Sequence, residues 1–264
     1  MHPMCKNIMV MRMVKTLFLA LLLVLFLVQG FGAMDQRGDE KLWQEVYAAR
    51  EKYYESSFGK LPSEIAKMAN LIGVWPGGGL MVIPATKLGP DVWVYTTFGF
   101  TNPDMPTTIT LVDSKGNNVS RQNTLKRKKN IRTPTNRPGH GYEMLVITKE
   151  RAEWPLGFLQ WVANAEILND ADLLSRVENY GGLTVEEIQV DDAKSINVLI
   201  AKAQTPLPSG TALPNGKMEL LVATVITEDE MRWSMTNGRS ALLAKLQSAG
   251  VGQISDLKRK SVLK

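Results

Sequence analysis

Apolar positions recur along this chain with two different periods, so both strands and helices are predicted. Residues 142–148 alternate, which predicts a strand with one apolar face, carrying Tyr142, Met144 and Val146, and one mixed face. Apolar side chains then recur at helical spacing at Trp154, Phe158, Trp161 and Ala165. A strand that leads into such a helix is typical of a protein core and not of a catalytic loop.

Similar patterns predict most of the remaining elements. Helices are expected over residues 39–57 and 173–180, and strands over 80–85, 91–98 and 107–112. The segment 184–190 is expected to be an edge strand, followed by a strand over 196–203. The almost continuously apolar stretch 217–226 predicts a central strand. Thr227 and Glu230 have the spacing of a capping box, which predicts that helices follow to about residue 249.

Several short motifs occur in an order that resembles the suppressor of fused domain family. The motifs are Tyr53-Tyr54 with Phe58-Gly59, Val94-Tyr95-Thr96-Thr97-Phe98-Gly99, Glu143-Met144-Leu145-Val146-Ile147, Trp154-Pro155, Ile226-Thr227 with Glu230, and Asp256 with Arg259-Lys260-Ser261-Val262. The resemblance implies a single α/β (α+β) domain over residues 33–264, of the single-domain bacterial type. Its expected fold is a mixed, largely antiparallel sheet flanked by helices. It also implies a protein or peptide ligand, most concretely a toxin that an immunity-type protein neutralises.

The first 32 residues predict a signal peptide. Three bases, Lys6, Arg12 and Lys15, precede the apolar run 17–28, and Gly30-Phe31-Gly32 supplies the small residues of a cleavage site. An uncleaved membrane anchor is the alternative. Cys5 is the only cysteine, so a chain cleaved near Gly32 has no thiol, which excludes disulfides and cysteine nucleophiles. We therefore expect an exported protein, periplasmic or secreted.

The basic character of the chain is local. The whole chain has a net charge of +5, and removal of the leader leaves 28 bases against 26 acids. Eight of those bases and no acid lie in residues 115–137, within an exposed loop that we expect over residues 115–140. The other residues after the leader carry 20 bases and 26 acids, a net charge of −6. A solvated loop, an acidic partner and anionic lipid headgroups are the open interpretations. Nucleic acid is the least favoured, because no aromatic residues are interleaved.

Residues for catalysis are scarce. After the leader, His140 is the only histidine, and it is expected to be a polar hinge residue because no metal-ligand spacing accompanies it. Glu143, Glu219 and the group Glu228, Asp229 and Glu230 could in principle form an acid and base pair. The capping box already explains the last group, and a solvated strand face is the favoured explanation of Glu143 and Glu219. We predict no enzyme, no cofactor and no metal. An exported carboxylate-dependent hydrolase and an envelope-associated structural protein remain the alternatives.

The predicted ligand surface combines the end of a strand, the basic loop and the edge strand 184–190. The candidate binding residues are Thr96, Thr97, Gly99, Thr101, Asn102, Lys126, Arg127, Lys128, Lys129 and Arg132. This choice follows from the resemblance and from the cluster of bases, since complementary surfaces and not a reaction centre are expected to bind the ligand.

Overall fold

The computed structural model describes residues 36–63, 69–70, 73–74, 79–103, 105, 108–112, 118–124, 137–169, 171–191 and 194–263. Its five helices are α1 (Gln36–Phe58), α2 (Trp154–Asn169), α3 (Leu173–Tyr180), α4 (Glu228–Asn237) and α5 (Arg239–Ser248). The predicted helices in these regions are confirmed, with ends that differ by a few residues. Among the described residues, no helix combines the length and the apolar character needed to span a bilayer.

The strands form one large sheet and two small hairpins. They are β1 (Ala69–Asn70), β2 (Gly73–Val74), β3 (Gly79–Pro84), β4 (Trp93–Phe98), β5 (Thr108–Val112), β6 (Asn118–Thr124), β7 (Tyr142–Thr148), β8 (Leu183–Asp191), β9 (Lys194–Lys202), β10 (Thr211–Leu213) and β11 (Gly216–Ile226). The large sheet has the order β3-β4-β7-β11-β9-β8, with β10 paired to β11. Only β7 and β11 are parallel neighbours in it, which confirms the mixed, largely antiparallel α/β fold.

Helices cover both faces of this sheet. Tyr142, Met144 and Val146 pack on one face with α2 and α3, whereas Leu145 and Ile147 pack on the opposite face with α1. Every residue of β7 is buried, including Glu143 on its mixed face. A strand in the middle of a three-layer structure has no solvated face.

The most regular stripe of α1 includes a charge. Val46, Arg50, Tyr54 and Phe58 follow one another at intervals of four residues, and all four side chains are fully buried. Residues with this spacing lie above one another on one helix face. The helix therefore inserts a guanidinium into the middle of the apolar interface that it forms with the sheet.

Two further expectations are wrong. The loop predicted over 115–140 is not continuous, because residues 118–124 form β6 and pair with β5. Hairpin pairing uses backbone groups, so it does not require the alternating apolar residues that the sequence lacks there. Trp161, predicted to belong to the buried face of α2, is 41% exposed, whereas Trp154 and Phe158 are buried.

The C-terminal segment closes the gap where β7 and β11 diverge. The amide of Ser255 donates to the carbonyl of Ile147 at 2.7 Å. The guanidinium of Arg259 forms two hydrogen bonds to the buried carboxylate of Glu230, which also accepts the amide of Thr227 in the predicted capping box. This carboxylate therefore joins the start of α4 to the end of the chain.

Candidate functional site

A buried carboxylate organises the chain where β4 ends. The side chain of Glu143, on β7, is fully buried. Its Oε1 accepts the Thr101 hydroxyl at 2.7 Å and the amides of Gly99 and Thr101 at 3.1 Å. Its Oε2 accepts the Thr97 hydroxyl at 2.7 Å and the amide of Phe100 at 3.3 Å. Residues 97–101 therefore wrap around one carboxylate, and their polar groups are used inside the fold.

Arg50 supplies the opposite charge. Its Nη1 lies 3.4 Å from Glu143 Oε1 and donates to Thr101 Oγ1 at 3.0 Å. The guanidinium carbon lies 4.2 Å from the centre of the Phe98 ring, which adds a cation–π contact. Burial lowers the pKa of Arg50, and the charge of Glu143 opposes that shift. The pair ties α1 to β7, which indicates a structural function.

This burial changes the interpretation of one predicted surface. Thr96, Thr97 and Thr101 have no exposed area, and Asn102 is 1% exposed. The amide of Gly99 is already used by Glu143. In this structure the five residues are therefore not the exposed contact surface that we expected, because the sheet and α1 enclose the strand end. Ligand binding by these residues stays a prediction.

The two strand carboxylates do not form an acid and base pair. The parallel register places Glu219 beside Tyr142 and Leu220 beside Glu143. Successive side chains of a strand point to opposite faces, so Glu143 and Glu219 lie on opposite faces of the sheet. Both are buried, so the expectation of a solvated strand face is wrong for each. Lys217 Nζ lies 2.7 Å from Glu219 Oε1.

His140 lies beside a second buried carboxylate. Its Nδ1 is 3.8 Å from Glu166 Oε2. The other oxygen of Glu166 accepts the Tyr142 hydroxyl at 2.7 Å and the Leu173 amide at 2.9 Å. Burial raises the pKa of Glu166, although these hydrogen bonds oppose the shift. Gly139, before the histidine, adopts a positive φ of 52°, which allows a tight turn at this position.

One of the two edges of the large sheet, formed by β8, is a second candidate surface. β8 pairs with β9 and has no neighbour on its other side among the described residues, so the predicted edge strand is confirmed. The register shifts between Val185 and Ile188, where Glu187 has a φ of 55°. The amide of Glu187 donates to the side chain of Asn197, which in turn donates to Glu228. A β-bulge held by a side chain thus interrupts this edge.

The basic part of the predicted surface lies outside the described residues. This applies to Lys126, Arg127, Lys128, Lys129 and Arg132. Arg137, at the end of the basic segment, is described, and its guanidinium forms an ion pair with Glu178 of α3. The described part of the chain holds no group of three acidic, histidine or cysteine side chains suited to a metal ion.

Comparisons with known proteins identify a family. The family model described as "Suppressor of fused protein (SUFU)" matches residues 78–260. A search of curated proteins gives no match. The fold is similar to the Sufu structure in the Sufu–Fu complex, with 13% sequence identity, a TM-score of 0.52, and coverage of 84% of this chain and 92% of that one.

Two further solved structures are similar. Drosophila Suppressor of Fused is 12% identical with a TM-score of 0.47, over 83% of this chain and 51% of that chain. This chain therefore spans about half the length of the Drosophila protein. A SUFU homolog from Neisseria gonorrhoeae FA 1090 is 16% identical with a TM-score of 0.42, over 84% of this chain and 97% of the homolog.

Proposed function

Because this chain belongs to the suppressor of fused protein family, we propose that it is an exported, non-enzymatic protein that binds a protein or peptide ligand. Members of the family are generally protein-interaction modules. The similar Sufu was crystallised in a complex with Fu, which supports a protein ligand here. In its most concrete form, the ligand is a toxin, and this chain is an immunity-type protein that neutralises it.

The observation that carries this proposal is the free edge of β8. A strand at a sheet edge offers backbone donors and acceptors that an extended segment of a partner can pair with. On β8, Val185, Ile188 and Val190 are half-buried and pack against the apolar core, whereas Glu186 and Glu187 are exposed. A ligand strand paired with β8 would gain backbone hydrogen bonds. Its side chains would also contact the half-buried apolar residues of β8.

The charges on this edge restrict the partner. Pairing of two β8 strands from two copies would bring carboxylates close together, and like charges on facing strands are destabilising. The bulge at Glu187 also interrupts a flat edge, which is a common protection against edge-to-edge aggregation. We therefore expect the ligand to be an uncharged or basic extended segment.

A photo-crosslinking experiment tests the edge. A benzophenone amino acid at Glu186 of β8 should capture the ligand in a native extract, whereas the same group at the exposed Ala244 of α5 should not. The captured protein is then made recombinantly and titrated against the wild type and Asn197→Ala. Asn197 holds the amide of Glu187 on the edge strand, so loss of its side chain should disorder the strand with which the ligand pairs and lower the affinity about tenfold. Equal capture at both positions, or an unchanged affinity, would contradict the proposal.

The toxin ligand, the export of the chain and the two alternative functions have separate tests. If the ligand is a toxin, equimolar chain should abolish its activity, and the gene for it should lie near the gene for this chain. If the leader functions, the native protein should begin after Gly32, as mass spectrometry of its N-terminus would show. Turnover of a substrate by the purified chain would favour the hydrolase instead. Loss of vesicle binding on deletion of residues 121–132 would favour the envelope-associated role.

A further inference from the structure

One face of α2 carries two features that the folded monomer does not explain. Trp161 is 41% exposed, and its ring stacks on Phe158 with a centroid distance of 5.8 Å. Gly157 lies in the same helix, where glycine is less stable than alanine. Apart from the helix's own backbone, a Cβ added at Gly157 would meet no atom of the described residues within 4 Å, and this residue does not have a positive φ. Neither close packing nor backbone conformation within the monomer therefore requires glycine there.

The two features are neighbours. Residues four positions apart lie one turn apart on the same helix face, so Trp161 protrudes beside the notch at Gly157. Within α2 itself the only charged residue is Glu166, and it is buried; the exposed Glu153 lies one turn before Gly157, outside the helix. Depletion of charge around an exposed aromatic side chain is typical of the centre of a protein interface.

We infer that α2 is a contact between two copies of this chain, packed antiparallel about a twofold axis. In such an interface, residue 157 of one copy faces residue 161 of the other, and the reverse contact also forms. Each Trp161 ring then fills the notch at Gly157 of the partner subunit. A protrusion and a matching notch on one surface are what a symmetric pair requires, whereas an unrelated partner needs only one of them.

Charge also favours a second copy. Two uncharged helix faces meet without repulsion, although the rest of the chain carries many charges. A helix that lies on a membrane usually presents lysine and arginine beside its apolar face, and α2 has neither. This contact is separate from the proposed ligand edge on β8, so the two proposals can fail independently.

Sedimentation velocity of the full chain, from about 1 to 500 µM, tests the contact. We expect a weak dimer whose dissociation constant rises at least tenfold in Trp161→Ala and in Gly157→Gln. Tyr180→Ala removes an aromatic side chain that is 69% exposed on α3, so it is the matched control and should leave the dimer unchanged. Gly157→Gln should also raise the melting temperature by about 2 °C, because glutamine favours the helix. Poor folding of this variant therefore cannot explain a weaker dimer.

A cysteine cross-link tests the symmetry. With the axis between positions 157 and 161, the two copies of residue 160 lie about 3 Å apart along the helix direction. The two helix axes also lie about 8–10 Å apart, so Gln160→Cys in a Cys5→Ser chain should be joined into a dimer by a short bis-maleimide cross-linker, and Ser248→Cys on α5 should not. A monomer at all concentrations, or a dimer unaffected by both α2 variants, would overturn the inference. Vesicle binding that depends on Trp161, without a dimer, would overturn it in favour of a membrane contact.

Discussion

Replacement of Glu143 by glutamine should destabilise the fold strongly. Glutamine keeps one acceptor oxygen and places an NH₂ group where the other carboxylate oxygen accepts the Thr97 hydroxyl and the Phe100 amide. It also removes the negative charge beside Arg50, which is fully buried. Breaking one side of a buried ion pair costs about 3–5 kcal/mol. For a chain of this size, that corresponds to a fall of about 10 °C in the melting temperature.

Urea denaturation followed by circular dichroism measures this loss. Glu219→Gln is the matched control, since it changes the same chemical group on the neighbouring strand β11. The Glu219 carboxylate is buried, but the side chains of its partners Lys202 and Lys217 are 40% and 61% exposed and can be hydrated when the charge is lost, so this change should cost about 1–2 kcal/mol. The double variant Arg50→Met/Glu143→Gln should cost less than the sum of the two single variants, because neither charge is then left alone. Equal stability of Glu143→Gln and Glu219→Gln would refute the argument.

Three further predictions follow from single contacts. Gly139→Ala should cost about 2–4 kcal/mol in urea denaturation, because its Cβ would lie 2.2 Å from the carbonyl oxygen of Phe100 at a positive φ. Burial raises the pKa of Glu230, but hydrogen bonds from Arg259 and two amides outweigh it and lower the pKa. The stability that the Glu230 carboxylate contributes should therefore be present above about pH 4.3 and be lost as the pH falls through its folded-state pKa. In acid-denaturation scans, Arg259→Met should lose less stability over this pH range than the wild type. Phe158→Ala should cost about 3–5 kcal/mol in the same denaturation assay, because the ring is 1% exposed in the core.

Each of these predictions has a control on the same kind of element. Gly157→Ala places a Cβ in open space and should be neutral or stabilising, unlike Gly139→Ala. Arg232→Met removes an exposed arginine of α4 and should leave the acid transition unchanged. Trp161→Ala should cost the monomer far less than Phe158→Ala. If a control variant lost as much stability as its test variant, burial and local geometry would not be the cause of the predicted loss.

The periodicity of the sequence predicted the elements well where one face of each is apolar. The central position of β11, the helix α3 with its Leu173, Leu174 and Val177 face, and the capping box at Thr227 are confirmed. These features depend on residues close together in the chain, so local sequence is sufficient to indicate them. β6 was missed because hairpin pairing between polar segments leaves no apolar alternation.

The candidate site was less predictable, because its polar groups meet across the fold. Glu143 looked like a residue of a half-solvated strand, and nothing near it in sequence shows that α1 covers it. The spacing of Val46, Arg50, Tyr54 and Phe58 was the available signal, since it places a charged residue on an otherwise apolar helix stripe. The residues 96–102 were chosen as a surface, whereas their polar groups are largely used within the fold.

The amino-acid sequence by itself determined most of the segments that become helices and strands of the large sheet, and which family pattern they follow, because short-range periodicity and motif order are properties of the chain alone. The tertiary structure decided which faces are buried, that Glu143 and Glu219 lie on opposite sides of the sheet, and that Trp161 protrudes. Burial depends on contacts between residues far apart in sequence, such as Arg50 with Glu143, and those contacts exist only once the layers have packed.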